Sequence, residues 1–342
     1  MAKRKESKRE KNRKRKILLA LLLVIFTGVI LTANTYAWFT SNKTITVDAI
    51  DVQVTTANGI QVSTDATNWK TVITNTDLNN TLLASTLYPT NTNQLPFKST
   101  NALIAPVSTG GTVASGKLKM FLGELGTNES NATVLKTTAE TDTKGATGNY
   151  VAFDLFFLVT QNSVVKLGSG SSVTTSTGAT NKGLKNAARV AWIKEGNAAA
   201  GDVSSAQGLA NGTEGTTLIW EPNNNVHTDA AIADALSTYG VTIQSDTEVA
   251  NYYGVDAAIG GSGVILKPIT PGTNFKQVTP GLKTRDGALT SDQDWFSLDA
   301  GITKVRFYLW VEGQDYDCEN NASGDAISFN MNFVLPDTTT NP

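Results

Sequence analysis

From Ile327 to Leu335 every second residue is apolar: Ile327, Phe329, Met331, Phe333 and Leu335 point one way, and Ser328, Asn330 and Asn332 the other. A period of two places alternate side chains on opposite faces of a strand, so this segment is a half-buried antiparallel strand, and no helix gathers these residues on one side. The run Ile302–Val311 repeats the pattern, with Val305, Phe307, Leu309 and Val311 set against Arg306, Tyr308 and Trp310. Rings on that second row either stack on sugars or sit under a loop or a neighbouring subunit. Val151–Val159 is apolar on both faces except for Asp154 and reads as a central strand covered on both sides.

The remainder is rich in Thr, Ser, Asn, Gly and Val, which is a strand-and-turn composition. Further strands are expected at 45–54, 60–63, 117–122, 187–194, 216–221, 241–244 and 263–267. In the first of these, Ile45, Val47 and Ala49 alternate, then Ile50, Val52 and Val54 continue out of phase, which predicts a bulge near Ala49. One helix is expected, Asp229–Tyr239, with Thr228 as N-cap and Gly240 at its stop. Leu125–Gly148 and Gly168–Gly183 read as Gly/Ser/Thr-rich loops. The fold class is therefore mostly β: a jelly-roll-like antiparallel β-sandwich with long loops and one short helix, occupying residues 50–335, with a short tail at 336–342. Leu335-Pro-Asp-Thr-Thr339 is read as the end of the last strand rather than as a covalent anchoring signal.

The chain has one histidine, His227, and one cysteine, Cys318. Zinc sites built from His and Cys are excluded by count, and so is an intramolecular disulfide. A nucleophile system would have to use His227, which lies in the polar stretch Asn223–Thr228 and reads as a loop or cap residue. Carboxylates cluster at Asp315, Asp317, Glu319 and Asp325, and again at Asp286, Asp292, Asp294 and Asp299. Solvated turns are the plain reading; hard oxygen ligands at the first spacing suit Ca²⁺ and no other cofactor, and paired carboxylates would suit glycoside hydrolysis. The chain as a whole is read as non-enzymatic.

The N-terminus carries the strongest functional signal. Residues 1–16 hold ten Lys or Arg and two acidic residues, and 17–31 carry no charge. A basic region, an apolar stretch and the small residues Thr35 and Ala37 describe an export leader cut after Ala37, which starts the mature chain at Trp38. An uncleaved membrane anchor is the alternative, and in both cases the remainder lies outside the membrane. Losing the leader removes ten of 28 basic and two of 30 acidic residues, leaving 18 against 28, a net charge of −10. An exterior that acidic is unsuited to nucleic acid.

Thr35-Tyr36-Ala37-Trp38-Phe39-Thr40-Ser41 resembles the processing region of the TasA and camelysin family of exported Gram-positive proteins. The resemblance covers roughly residues 17–54, with Asn34 where the family usually has Gly. It implies cleavage by a signal peptidase of the SipW type, a jelly-roll β-sandwich, and assembly into extracellular biofilm-matrix fibres in which the N-terminal segment of one subunit completes a sheet of the next. Elementary strand chemistry points the same way. An extended apolar segment near a chain end adds to an exposed sheet edge, and head-to-tail addition propagates as a filament. The candidate donor is residues 38–49, with Phe39, Ile45, Val47 and Ala49 as its contacts. The same residues would otherwise fold back as the first strand of their own sandwich. The alternative function is a carbohydrate-binding surface adhesin that uses exposed Trp or Tyr rings, Trp310 among them, with Ca²⁺ as a candidate ligand.

Overall fold

The computed structural model describes residues 45–56, 60–78, 88, 90–96, 104–224, 226–239, 241–246, 252–265, 272–285, 288–319 and 322–335. Two large sheets face each other. The first runs β18 (Gln293–Leu298), β10 (Ser163–Leu167), β20 (Ala326–Leu335), β1 (Thr46–Thr56), β3 (Val72–Ile73), with β11 (Ser172–Thr175) also on β20. The second runs β17 (Leu282–Lys283), β13 (Thr217–Glu221), β12 (Ala188–Ala198), β19 (Gly301–Val311), β9 (Val151–Val159), β2 (Gln61–Ser63).

The alternation in β20 does what its sequence requires. Ile327, Phe329, Met331, Phe333 and Leu335 are buried and their neighbours are half-exposed. Their partners across the sandwich are the inner rows of β9, β12 and β19: Phe333 meets Phe157 edge-on at 5.7 Å, and Phe307 and Trp192 at 5.9 and 6.1 Å. Burying aromatic and aliphatic side chains of this size contributes about 2–3 kcal/mol each, so this interface dominates the fold.

The first sheet leaves one face half-exposed, but the second is covered on both sides. Every residue of β19 is buried. The cover is a further layer: the sheet β15 (Ile259–Ile265), β8 (Thr133–Glu140), β7 (Met120–Thr127), β4 (Val107–Ser108), with the ribbons β14 (Tyr252–Val255) on β16 (Phe275–Val278) and β5 (Val113–Ala114) on β6 (Lys117–Leu118). Val107, Leu118, Met120, Tyr252 and Val278 from this layer pack on Ala152, Ala191, Ile193, Ile219, Tyr308 and Trp310 of the second sheet. The molecule is therefore a β-sandwich with a third β layer on one side.

Three expectations are corrected here. The supposed loop 125–148 contains β8, whose buried Val134, Leu135 and Thr137 seat it on β7 while its other positions stay wet. The supposed loop 168–183 contains β11, which pairs with β20 from Ser172↔Asn330 to Thr175↔Ile327. Conversely 241–244 forms no strand: Ile243 is buried, Val241 is exposed, and the segment pairs with no ladder. The helix starts where its cap dictates, Thr228 accepting from the Ala231 N–H, runs Asp229–Asp234, and finishes as a π-turn over Ala235–Tyr239.

Candidate functional site

The first described strand lies inside the first sheet. β1 runs parallel to β20 from Thr46↔Ala326 to Thr56↔Leu335, and its other edge carries β3 at Val52↔Ile73. Just before it, Ile45 exchanges backbone hydrogen bonds with Ile104 at 3.2 and 3.0 Å. The register slips between Val47 and Ala49, where the sequence changes phase. That bulge returns the apolar residues to one face: Ile45, Val47, Ile50 and Val52 are all buried in the same core. Without it Ile50 and Val52 would point outward. Asn75 Oδ1 accepts from the Ile50 N–H at 3.0 Å.

Among the described residues one strand passes through residue 49, so β1 shows no boundary between 45–49 and 50–54. Ile45 and Val47 are at home in their own core. Thr35, Ala37, Trp38 and Phe39 lie outside the described residues. Among the described residues no helix is long and apolar enough to cross a membrane.

A strand that pairs in parallel cannot be joined to its partner by a hairpin. β1 and β20 come from opposite ends of the described chain. Within one chain the slot between β20 and β3 is filled by β1 itself.

The acidic candidates are dispersed into separate structural duties. Asp315 and Glu221 both pair with Arg189 Nη2, each at 2.5 Å. Asp317 takes His227 Nδ1 at 2.6 Å and the Thr228 N–H at 3.0 Å, fastening the start of the helix. Asp325 accepts from the Lys182, Leu184 and Ala326 N–H groups. Glu319 is buried. Among the described residues no group of three or more His, Cys, Asp and Glu is placed to hold a metal ion. Asp292, Asp294 and Asp299 serve other strands: Asp292 accepts from the Ser169 N–H, and Asp294 and Asp299 pair with Lys166 and Lys194. Asp286 lies outside the described residues.

Trp310 and Tyr308 occupy the face opposite Phe307, as expected, but the third layer covers them and both are fully buried. Trp310 Nε1 donates to Glu312 Oε2 at 3.1 Å, so the ring is satisfied inside the protein and offers no platform to a sugar.

Sequence reasoning missed a buried charge belt across the outer face of the second sheet. Arg306 faces Asp154 across the β19–β9 ladder. Its Nη1 reaches Asp154 Oδ1 at 2.8 Å and its Nη2 reaches Asp142 Oδ2 at 2.7 Å. Lys304 Nζ stands 3.3 Å from Asp154 Oδ2. Tyr150 and Tyr308 donate to Asp142 at 2.7 and 2.8 Å, and Tyr88 donates to Asp154 Oδ2 at 3.1 Å. Burial pushes the Asp154 carboxyl up, but Arg306 and then Lys304 outweigh it and hold the pKa below the usual carboxylate value. The warnings in the sequence were Asp154 in an otherwise apolar strand, and Lys304 and Arg306 at alternate positions on the outer row of β19.

Two other carboxyls are pushed the opposite way. Burial raises Glu312 to about 7 and Glu195 to about 7. A carboxyl whose folded pKa exceeds its unfolded value stabilises most below the unfolded value and loses that contribution as pH rises through the folded one. Raising the pH from 5 to 8 should therefore lower the unfolding free energy by on the order of 3 kcal/mol for Glu312 alone. Urea midpoints at the two pH values measure it. Glu312→Gln should flatten the dependence, and a midpoint that rises with pH would contradict it.

No protein-family model, curated protein or solved structure matches this chain.

Proposed function

We propose that this chain is an exported structural protein that forms or decorates extracellular biofilm-matrix fibres, with copies joined head to tail by exchange of β1. The observation that carries the reading is the position of β1, the first described strand, parallel to β20; in this reading a second copy fills the same slot. The exchanged unit is the whole strand, not residues 38–49 alone. Exchange of an identical element costs little, because every slot ends up holding the same strand in the same register. When the exchange does not close on itself it extends without limit. A net charge of −10 after loss of the leader keeps released subunits soluble until strands find partners.

In this reading the leader is removed by a signal peptidase of the SipW type and the product acts outside the cell, without cofactor or enzymatic turnover. A carbohydrate adhesin could not use Trp310 as its stacking ring, since that ring is buried. The test is the N-terminal residue of protein recovered from the cell exterior, read together with negative-stain microscopy of that fraction. A start at Trp38 with filaments is expected. An exterior chain that retains Met1–Ala37, or a processed chain that stays monomeric at high concentration, would contradict it.

A further inference from the structure

Lys304 is the one lysine among the described residues with less than a tenth of its surface exposed, and its position is unusual. Its Nζ donates to the backbone oxygens of Leu209 and Gln207 at 2.9 and 3.3 Å and lies over the rings of Tyr88 and Phe156. The remaining neighbour is Asp154 Oδ2 at 3.3 Å, and Asp154 is also buried. Two strands of the same sheet thus hold a primary amine against a carboxyl group in a water-poor layer roofed by aromatic rings.

We propose that Lys304 and Asp154 condense to form an intramolecular isopeptide bond that staples β19 to β9. The step balances without an outside reagent. The Lys304 ammonium passes one proton to Asp154 Oδ2, and the neutral amine attacks Cγ. The Nζ–Cγ bond forms, the Cγ–Oδ2 bond breaks, and Oδ2 leaves as water with that proton and a second one from the nitrogen. Arg306 Nη1 already donates to Oδ1, where negative charge develops on addition, and Tyr88 donates to Oδ2, the departing oxygen. Exclusion of water disfavours the reverse hydrolysis. Against this, the charges of Arg306 and Lys304 hold Asp154 ionised, so proton transfer within the pair is the slow part.

The charge balance of the belt supports the product. Asp142 and Asp154 face Arg306 and Lys304, two against two. Condensation removes one of each sign and leaves Arg306 paired with Asp142, so no buried charge is stranded. An exported chain with a single cysteine gains from such a link what it cannot gain from a disulfide, because the bond closes the long loop from β10 to β18 in the unfolded state.

The bond would form within one chain, whether or not copies assemble into fibres. Its test is the intact mass of the full chain under denaturing conditions, referred to its measured N-terminus, with a tryptic map. The expected result is a chain lighter than its sequence by one water, no cleavage after Lys304, and a branched peptide joining the β9 and β19 fragments. Lys304→Arg should restore the full mass. An unshifted mass with Lys304 in a linear peptide would overturn the proposal. So would a lost water that maps elsewhere, for example to a succinimide at Asp286-Gly287.

Discussion

Replacing Arg306 by leucine should destabilise the protein more than any other single change outside the apolar core. The substitution keeps much of the volume and removes the cation between Asp154 and Asp142, both of which stay buried. Breaking a buried pair by removing one partner costs about 3–5 kcal/mol, because the other charge is left uncompensated. Where Lys304 and Asp154 are still an ion pair, two carboxylates lose their shared partner and only Asp154 retains a second cation, Lys304; where they have condensed, Asp142 alone is stranded. A loss of about 5 kcal/mol, and of roughly 10 °C or more in melting temperature, is expected. Denaturant melts of the wild-type and Arg306→Leu chains measure it. Adding Asp142→Asn and Asp154→Asn to Arg306→Leu should recover part of the loss, since the stranded charges then disappear. A loss below about 1 kcal/mol would mean that water reaches the belt and the pairs behave as surface ones.

The two long C-terminal strands were legible because their alternation leaves no other reading. The bulge in β1 was legible too, since a phase slip in an apolar alternation has to be absorbed somewhere along the strand. What could not be read was whatever depends on a covering layer. The period of β19 says that Trp310 and Tyr308 share a face, but not that β4, β6, β7 and β14 lie over it. β6 and the start of β7 fall within the expected strand 117–122, but β4 and β14 have two and four residues, and β8 carries Thr and Lys on its wet side, so these read as loop. The charge belt was hidden for a related reason. Asp154 and Arg306 look like isolated exceptions until the β9–β19 register sets them opposite each other. Asp142 comes from a segment that composition alone assigns to a loop. For the acidic group at 315–325, proximity in sequence did not show the partners: the fold sets Asp315 on Arg189, Asp317 on His227 and Asp325 on the Lys182 N–H.

The second large effect concerns β1. Its central residues Ile50 and Val52 are buried in the first core, so a slot without this strand exposes an apolar groove along β20. Such a groove is filled either by the chain's own strand or by a neighbour's, with the same register in both cases. The two states share their packing and differ in connectivity alone. The discriminating reporter is therefore a covalent bond across the β1–β20 register. Gln53 and Asn332 are partners on the outer face, and Gln53 is exposed. The native Cys318 is buried and remote from oxidant. One population of chains starting at Trp38 would carry Gln53→Cys and another Asn332→Cys. The two are assembled together, oxidised and separated by size under denaturing, non-reducing conditions. Strand exchange predicts disulfide-linked pairs containing one chain of each kind, and a ladder of linked oligomers when both substitutions sit in one chain. If the doubly substituted chain closes only on itself and the mixed single variants stay unlinked, β1 remains at home and the fibre account is contradicted.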